Sequence, residues 1–149
     1  MKIIINILII FFLTTNIIYS NENAQFLSLK NNKVNVRYGP GLDYPIKYIY
    51  KKKFFPVKVI DKKGNFRRII DHKKNSGWIH KIMLIKSKSL ITTSEKILFK
   101  KPSLFSKPII KIKSGRLLIV KKCIDNWCKI NTDVYTGWIK DDNIWGSIK

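Results

Sequence analysis

Beyond about residue 25 the apolar residues come in short runs, rich in Ile, Val, Tyr and Phe and broken by Gly, Pro, Asn and Asp. No long stretch carries apolar side chains at the 3.6-residue period of an amphipathic helix. The runs at residues 33–37, 46–50, 56–60, 66–70 and 77–80 read as β-strands, because β-branched and aromatic side chains suit a pleated, half-buried surface. Turn residues recur about every 8–12 positions, the spacing of a small barrel or sandwich.

The pattern then occurs a second time. VNVR at Val34 corresponds to ILFK at Ile97, and YPIKYI at Tyr44 to KPIIKI at Lys107. PVKVID at Pro56 corresponds to IVKKCID at Ile119, FRRI at Phe66 to WCKI at Trp127, and GWIHK at Gly77 to GWIKD at Gly137. The two Gly-Trp pairs lie 60 residues apart, and Pro45 and Pro108 lie 63 apart. Two copies of one small unit are expected, at residues 26–85 and 94–149, joined by a linker at 86–93 (KSKSLITT). Each is near the lower size limit for an independent core, so the copies should pack on one another. Trp78 and Trp138 occupy matched positions and are expected to be the core tryptophan of each copy.

The first twenty residues, MKIIINILIIFFLTTNIIYS, fall outside this pattern. Lys2, an apolar centre from Ile3 to Leu13 and a more polar stretch ending at the small Ser20 are the layout of a secretory signal peptide. That centre is shorter than the ~20 residues of a membrane span. The alternative is an uncleaved anchor, since Ile17, Ile18 and Tyr19 extend the apolar part. Either way the remainder is expected to be exported, periplasmic or secreted.

Export makes Cys123 and Cys128 read as a disulfide before a metal site. In CIDNWC the turn falls on Asp125-Asn126, two residues that tolerate positive φ. Ile124 and Trp127 then flank it as a hydrogen-bonded pair, and the cysteines face each other at the closer non-hydrogen-bonded pair, within bridging distance. Val59 and Arg67 are the expected counterparts in the first copy. Two reduced, packed thiols are the alternative. Zinc would need two further ligands, and His72 and His80 lie far off without ligand spacing.

The net charge of +21 raises nucleic-acid binding. Yet only Arg37, Arg67, Arg68 and Arg116 are arginines, and the lysines are scattered. Arginine is the residue suited to bidentate phosphate contacts, and Lys, Ile, Asn and Phe all have A/T-rich codons. A generally cationic surface, attractive to an anionic envelope, fits better than specific nucleic-acid recognition. Gly39-Pro40-Gly41 is a turn and no phosphate loop: LDYP follows it, and Pro40 removes an N–H such a loop would use. No catalytic constellation is apparent, for the nine acidic residues sit mostly in turns and neither histidine is near a nucleophile. Arg37, Tyr38, Tyr44 and Tyr48 cluster around the turn and are the candidate ligand-binding residues, by stacking on a peptide or glycan strand.

VNVRYGPGLDYPIKYI, FFPVKVID, FRRIID and GWIHKIML together resemble the bacterial SH3-like (SH3b) domain of exported alphaproteobacterial proteins, with its N-x-R-x-GPG-x-x-Y-P, P-V-x-V and G-W-V-H landmarks. The second copy is more divergent, with KKPSLFSKP in place of RYGPGLDYP, but retains CIDNWCKI, GWI and a closing IWG. A departure is Phe54-Phe55, where the family usually has glycine. The resemblance implies two tandem small all-β barrels and a non-catalytic binding or targeting role without cofactor or metal. It implies cell-wall material, such as peptidoglycan or its peptides, as partner. A protein–protein adaptor of an envelope enzyme and an electrostatic polyanion binder are the alternatives.

Overall fold

The computed structural model describes residues 25–147, so the expected signal peptide at 1–20 and its cleavage at Ser20 lie outside the described residues. The first unit contains β1 (Phe26–Leu29), β2 (Val34–Arg37), β3 (Ile46–Tyr50), β4 (Pro56–Lys63), β5 (Phe66–Ile70), β6 (Ser76–His80) and β7 (Leu84–Lys86). The second contains β8 (Ser89–Thr92), β9 (Lys96–Phe99), β10 (Pro108–Ile112), β11 (Leu117–Ile124), β12 (Trp127–Asn131), β13 (Thr136–Lys140) and β14 (Ile144–Trp145). The sheets run β3-β2-β6-β5-β4-β1-β7 and β10-β9-β13-β12-β11-β8-β14. Adding seven to each label converts one order into the other, so the repeat seen in the sequence is a repeat of topology. The fold is all-β, two tandem barrel-like units, as the period-2 runs predict. Helical geometry among the described residues is limited to the 3₁₀ turn Lys81–Met83.

Alternation sets the core. Val34 and Val36 of β2 are buried while Asn35 between them is exposed, and Val57 and Val59 of β4 follow the same rule. Leu29, Val34, Val36, Val57, Val59, Ile69 and Ile79 form the first core. Leu90, Leu98, Ile112, Leu118, Val120, Cys128, Ile130 and Ile139 form the second.

Of the two tryptophans, Trp138 is buried as expected and Trp78 is not. On β6 the side chain that reaches the core is Ile79, and Trp78, one position away, points to the other side and is half-buried. On β13 Ile139 is in the core, whereas Trp138, though buried, stands outside that cluster with the Lys122 ammonium 5.7 Å above its ring. What the Gly-Trp pairs share is the glycine. A Cβ on Gly77 would lie 2.4 Å from Val36 Cγ1, and one on Gly137 2.7 Å from the Phe99 carbonyl oxygen. Each glycine lets β6 or β13 approach its neighbour closely enough to close the unit.

Three registers also shift. Phe99, not Lys100, is the counterpart of Arg37, since each pairs with its unit's tryptophan. Val59 pairs with Ile69, and the counterpart of Cys123 is Lys62, facing Arg67. The segment expected as linker is mostly strand: Lys86 ends β7, Ser89 begins β8, and only Ser87 and Lys88 lie between. Every residue of β8 is buried. Its polar ends concealed it, because the buried hydroxyls of Ser89 and Thr92 are satisfied by partners distant in sequence, among them the main-chain carbonyls of Phe54 and Lys113.

The units are tied across this short link. Ser28 and Ser89 hydroxyls share a buried 3.2 Å hydrogen bond, the Lys88 N–H donates to Ser28 Oγ, and Ser89 Oγ donates to the Phe54 carbonyl. Trp145 of β14 packs edge-on against Phe26 at 5.3 Å, and its indole N–H donates to the Pro56 carbonyl.

The β11–β12 hairpin forms as its sequence predicts. Ile124 faces Trp127 and Cys123 faces Cys128, Asp125 takes φ +50°, and the cysteines form a disulfide across Cα atoms 4.1 Å apart. The loop it closes is short, so its contribution is modest. Cys123→Ser/Cys128→Ser should lower unfolding free energy by about 2 kcal/mol on the loop-entropy model and keep the fold, as read by urea denaturation with circular dichroism.

Candidate functional site

The loop between β2 and β3, residues 38–45, is where the sequence placed its candidate ligand contacts. Its ends are closed by the Tyr38 N–H donating to the Pro45 carbonyl at 3.2 Å. Arg37 donates from its guanidinium to the Tyr44 carbonyl at 2.6 Å, a charge-assisted bond across the loop. The Tyr44 ring lies over the glycines: a Cβ on Gly39 would sit 2.2 Å from its Cδ1. Gly39 is therefore needed for ring contact and not for a left-handed backbone, since its φ is not positive.

These contacts divide the candidates. Arg37 and Tyr44 hold the loop. Tyr38 points outward at 63% exposure, and Leu42 of the same loop is 71% exposed. Lys47 Nζ lies over the Tyr38 ring, 5.6 Å from its centre, and donates to the Ser76 carbonyl, so a cation is fixed over one face of the displayed ring. Tyr48 is half-buried in a different cluster. Its ring meets Tyr50 edge-on at 5.3 Å, Tyr50 stacks on Phe55 at 5.0 Å, and Phe55 lies 5.6 Å from His72. The Tyr50 hydroxyl donates to Asp71, whose buried carboxylate also accepts from the Lys73 and Asn75 N–H groups and the Asn75 side-chain amide. Burial first, then the neighbouring Tyr48 and Asp71, push the Tyr50 hydroxyl well above the usual phenol range, and burial raises Tyr48 as well.

The second unit has a loop at the equivalent place. The Lys100 N–H donates to the Lys107 carbonyl, and Ser103 and Ser106 hydroxyls cap N–H groups within it. It displays Leu104 at 63% and a fully exposed Phe105. Leu42, Leu104 and Phe105 escaped the sequence reading because a lone apolar residue near a strand looks like core; only the turn context marks them as exposed.

Of the two histidines, His80 has a structural duty. His80 accepts the Ile82 N–H at the 3₁₀ turn and packs edge-on against Phe66. Among the described residues no three His, Cys, Asp or Glu side chains are grouped to hold a metal ion.

Two small all-β units, each presenting a braced loop with outward apolar side chains, form a tandem repeat. The bacterial SH3 domain matches this chain twice, at residues 30–85 and 93–146, and the chain belongs to that family. In fold it is similar to NlpC2 from Trichomonas vaginalis, with 18% identity and a TM-score of 0.39 over 86% of this chain and 50% of that one. It is similar also to an NlpC/P60 family protein from Bacillus cereus, with 12% identity and a TM-score of 0.38 over 83% and 57% of the two chains. Endolysin LysPBC5 CBD has 16% identity and a TM-score of 0.34 over 86% of this chain and 98% of that one. The chain thus spans about half the length of NlpC2. No curated protein matches it.

Gly39→Ala should destabilise by about 1–3 kcal/mol, because the Tyr44 ring must move, whereas Tyr38→Ala should stay within about 0.5 kcal/mol of the parent. Denaturant titration compares the two. Tyr50 keeps its proton when folded at pH values where the unfolded chain has lost it, so its contribution is complete below pH ~10 and declines as pH rises beyond that. Tyr50→Phe should be less stable than the parent at pH 7, by about 1 kcal/mol for the lost hydrogen bond, and should show a shallower decline above pH ~10.

Proposed function

We propose that this chain is an exported, non-catalytic pair of bacterial SH3 domains that binds cell-wall material, peptidoglycan or its peptides, through the β2–β3 loop. The observation that carries this reading is the division of labour in that loop. Arg37 and Tyr44 are occupied in bracing it, which leaves Tyr38 and Leu42 outside on a preorganised frame. A fixed aromatic face binds the apolar face of a sugar ring or a peptide side chain without the entropy loss of ordering a loose loop. Lys47 beside Tyr38 offers a cation to a carboxylate of the same ligand. Tyr48 supports the adjoining strand from within the ring cluster.

Export is supported by the apolar leader in the sequence and by the disulfide, which persists in oxidising compartments. The charge of +21 raises the concentration of the chain near an anionic envelope without choosing its ligand.

Sedimentation with purified sacculi tests the reading. At moderate salt the parent chain should pellet with peptidoglycan, and Tyr38→Ala/Leu42→Ala should remain largely in the supernatant although folded. A parent chain that stays in solution, or a double variant that pellets equally well, overturns it. The mass of the mature protein from its native host checks export by showing whether the leader is removed.

A further inference from the structure

An open cleft of about 630 Å³ lies where the β3–β4 connection of the first unit meets the second unit. Its volume is within the ~300–1,000 Å³ usual for small-ligand sites. Lys52, Lys53, Lys113 and Arg116 line it together with Phe54 and Tyr135. Asp133 is the acidic residue of the lining, and the further cation Lys111 is already paired with Glu95. The ion pairs among the described residues are Lys96–Asp142 and Lys111–Glu95, so those four cations converge without an acidic partner. Like charges gathered around a concave space repel one another, and an entering anion relieves that repulsion.

The walls are built. Thr92 holds the turn that carries Lys113 and Arg116: its hydroxyl donates to the Lys113 carbonyl and accepts the Arg116 N–H, while its main chain bonds Gly115 and Arg116. Tyr135 is set by reciprocal bonds with Thr132. Phe54 is the most telling wall. It sits at φ +62°, a left-handed conformation that glycine takes freely and a bulky residue rarely. Its N–H donates to the Leu29 carbonyl, and its own carbonyl accepts the buried Ser89 hydroxyl of the second unit. The chain thus holds a large aromatic residue in a strained backbone at the mouth of a cationic cleft. Such strain persists where the surroundings over-determine it, and it concentrates at ligand sites.

We infer that this cleft is a binding site for an anionic sugar, a saccharide carrying a phosphate or carboxylate. Arg116 and Lys113 engage the oxyanion, the arginine by its planar fork; the Lys53 ammonium lies over the Phe54 ring at 5.0 Å, so the sugar packs on the ring face of Tyr135 and on the part of Phe54 that Lys53 leaves open. The cations line one concave cleft and do not run along a face, which fits a compact acid better than a duplex backbone. The site is separate from the β2–β3 loop and does not depend on the role proposed for that loop.

Amide chemical-shift titration of the purified chain at low ionic strength tests this with glucose 6-phosphate, galacturonate, glucose and inorganic phosphate. The two anionic sugars should give saturable shifts at Lys113, Arg116 and Tyr135, and glucose should not. Lys113→Glu/Arg116→Glu should weaken binding by at least about 10-fold, the loss of two charge-assisted bonds. Phe54→Gly should weaken binding while keeping or raising the melting temperature, since glycine takes that φ freely; a merely structural phenylalanine would instead lose stability. Absence of saturable shifts overturns the inference. So does binding indifferent to Lys113→Glu/Arg116→Glu, or inorganic phosphate binding as tightly as the sugar phosphate with Phe54→Gly without effect. Tighter binding of polygalacturonate than of galacturonate assigns the sugar to a polymer, the reverse to a free metabolite, and both uphold the site. Tyr38→Ala/Leu42→Ala should leave this binding unchanged, so a failure of the cleft and a failure of the loop are read separately.

Discussion

With only Ser87 and Lys88 between β7 and β8, the second unit must begin within bonding distance of the first. That constraint brings the buried hydroxyls of Ser28 and Ser89 together and delivers Ser89 to the Phe54 carbonyl. A hydroxyl removed from water costs free energy unless it is bonded, so each of these contacts requires the others. The junction is a polar seam flanked by the Phe26–Trp145 contact, and it fixes the cleft because both walls are attached to it. Two units of this size, each marginal alone, gain buried surface by sharing an interface.

Within each unit, glycine and aromatic residues act as matched parts. Gly39 receives the Tyr44 ring, and Gly77 and Gly137 receive neighbouring strands. The half-buried rings (Tyr48, Tyr50, Phe55) pack on one another beside the strand that follows the loop, while Tyr38, Leu42, Leu104 and Phe105 stay in water. Exposed apolar side chains on braced loops are costly to solubility without a partner, which is why they carry the functional reading. The charge surplus contributes little to this architecture. Of the 28 basic residues among the described ones (30 in the chain less Lys2 and Lys149), two form ion pairs, so most of the lysines act as a surface potential and not as struts.

The candidate site was half legible. Arg37, Tyr38, Tyr44 and Tyr48 look alike in sequence, as polar-edged side chains near one turn. Their separate duties follow from geometry: a guanidinium aimed at a carbonyl, a ring lying on glycine, a ring in water and a ring against Tyr50. The cleft was not legible at all, because Lys52 and Phe54 lie some sixty residues from Lys113 and Arg116. Phe54 did leave a trace, as an aromatic residue where the resemblance calls for glycine, and its positive φ gives that trace a meaning.

Local patterns carried the rest. Period-2 alternation, turn residues and the spacing of CIDNWC determined the strands, the twofold repeat and the disulfide, since each depends on residues a few positions apart. Tertiary structure alone decided that Ile79, not Trp78 beside it, fills the first core, and that Ser89–Thr92 is a strand and not a linker. A side chain's face and a hydroxyl's partner are settled by contacts such as Ser28–Ser89 and Trp145–Pro56, 61 and 89 residues apart in sequence. No local period encodes separations of that length.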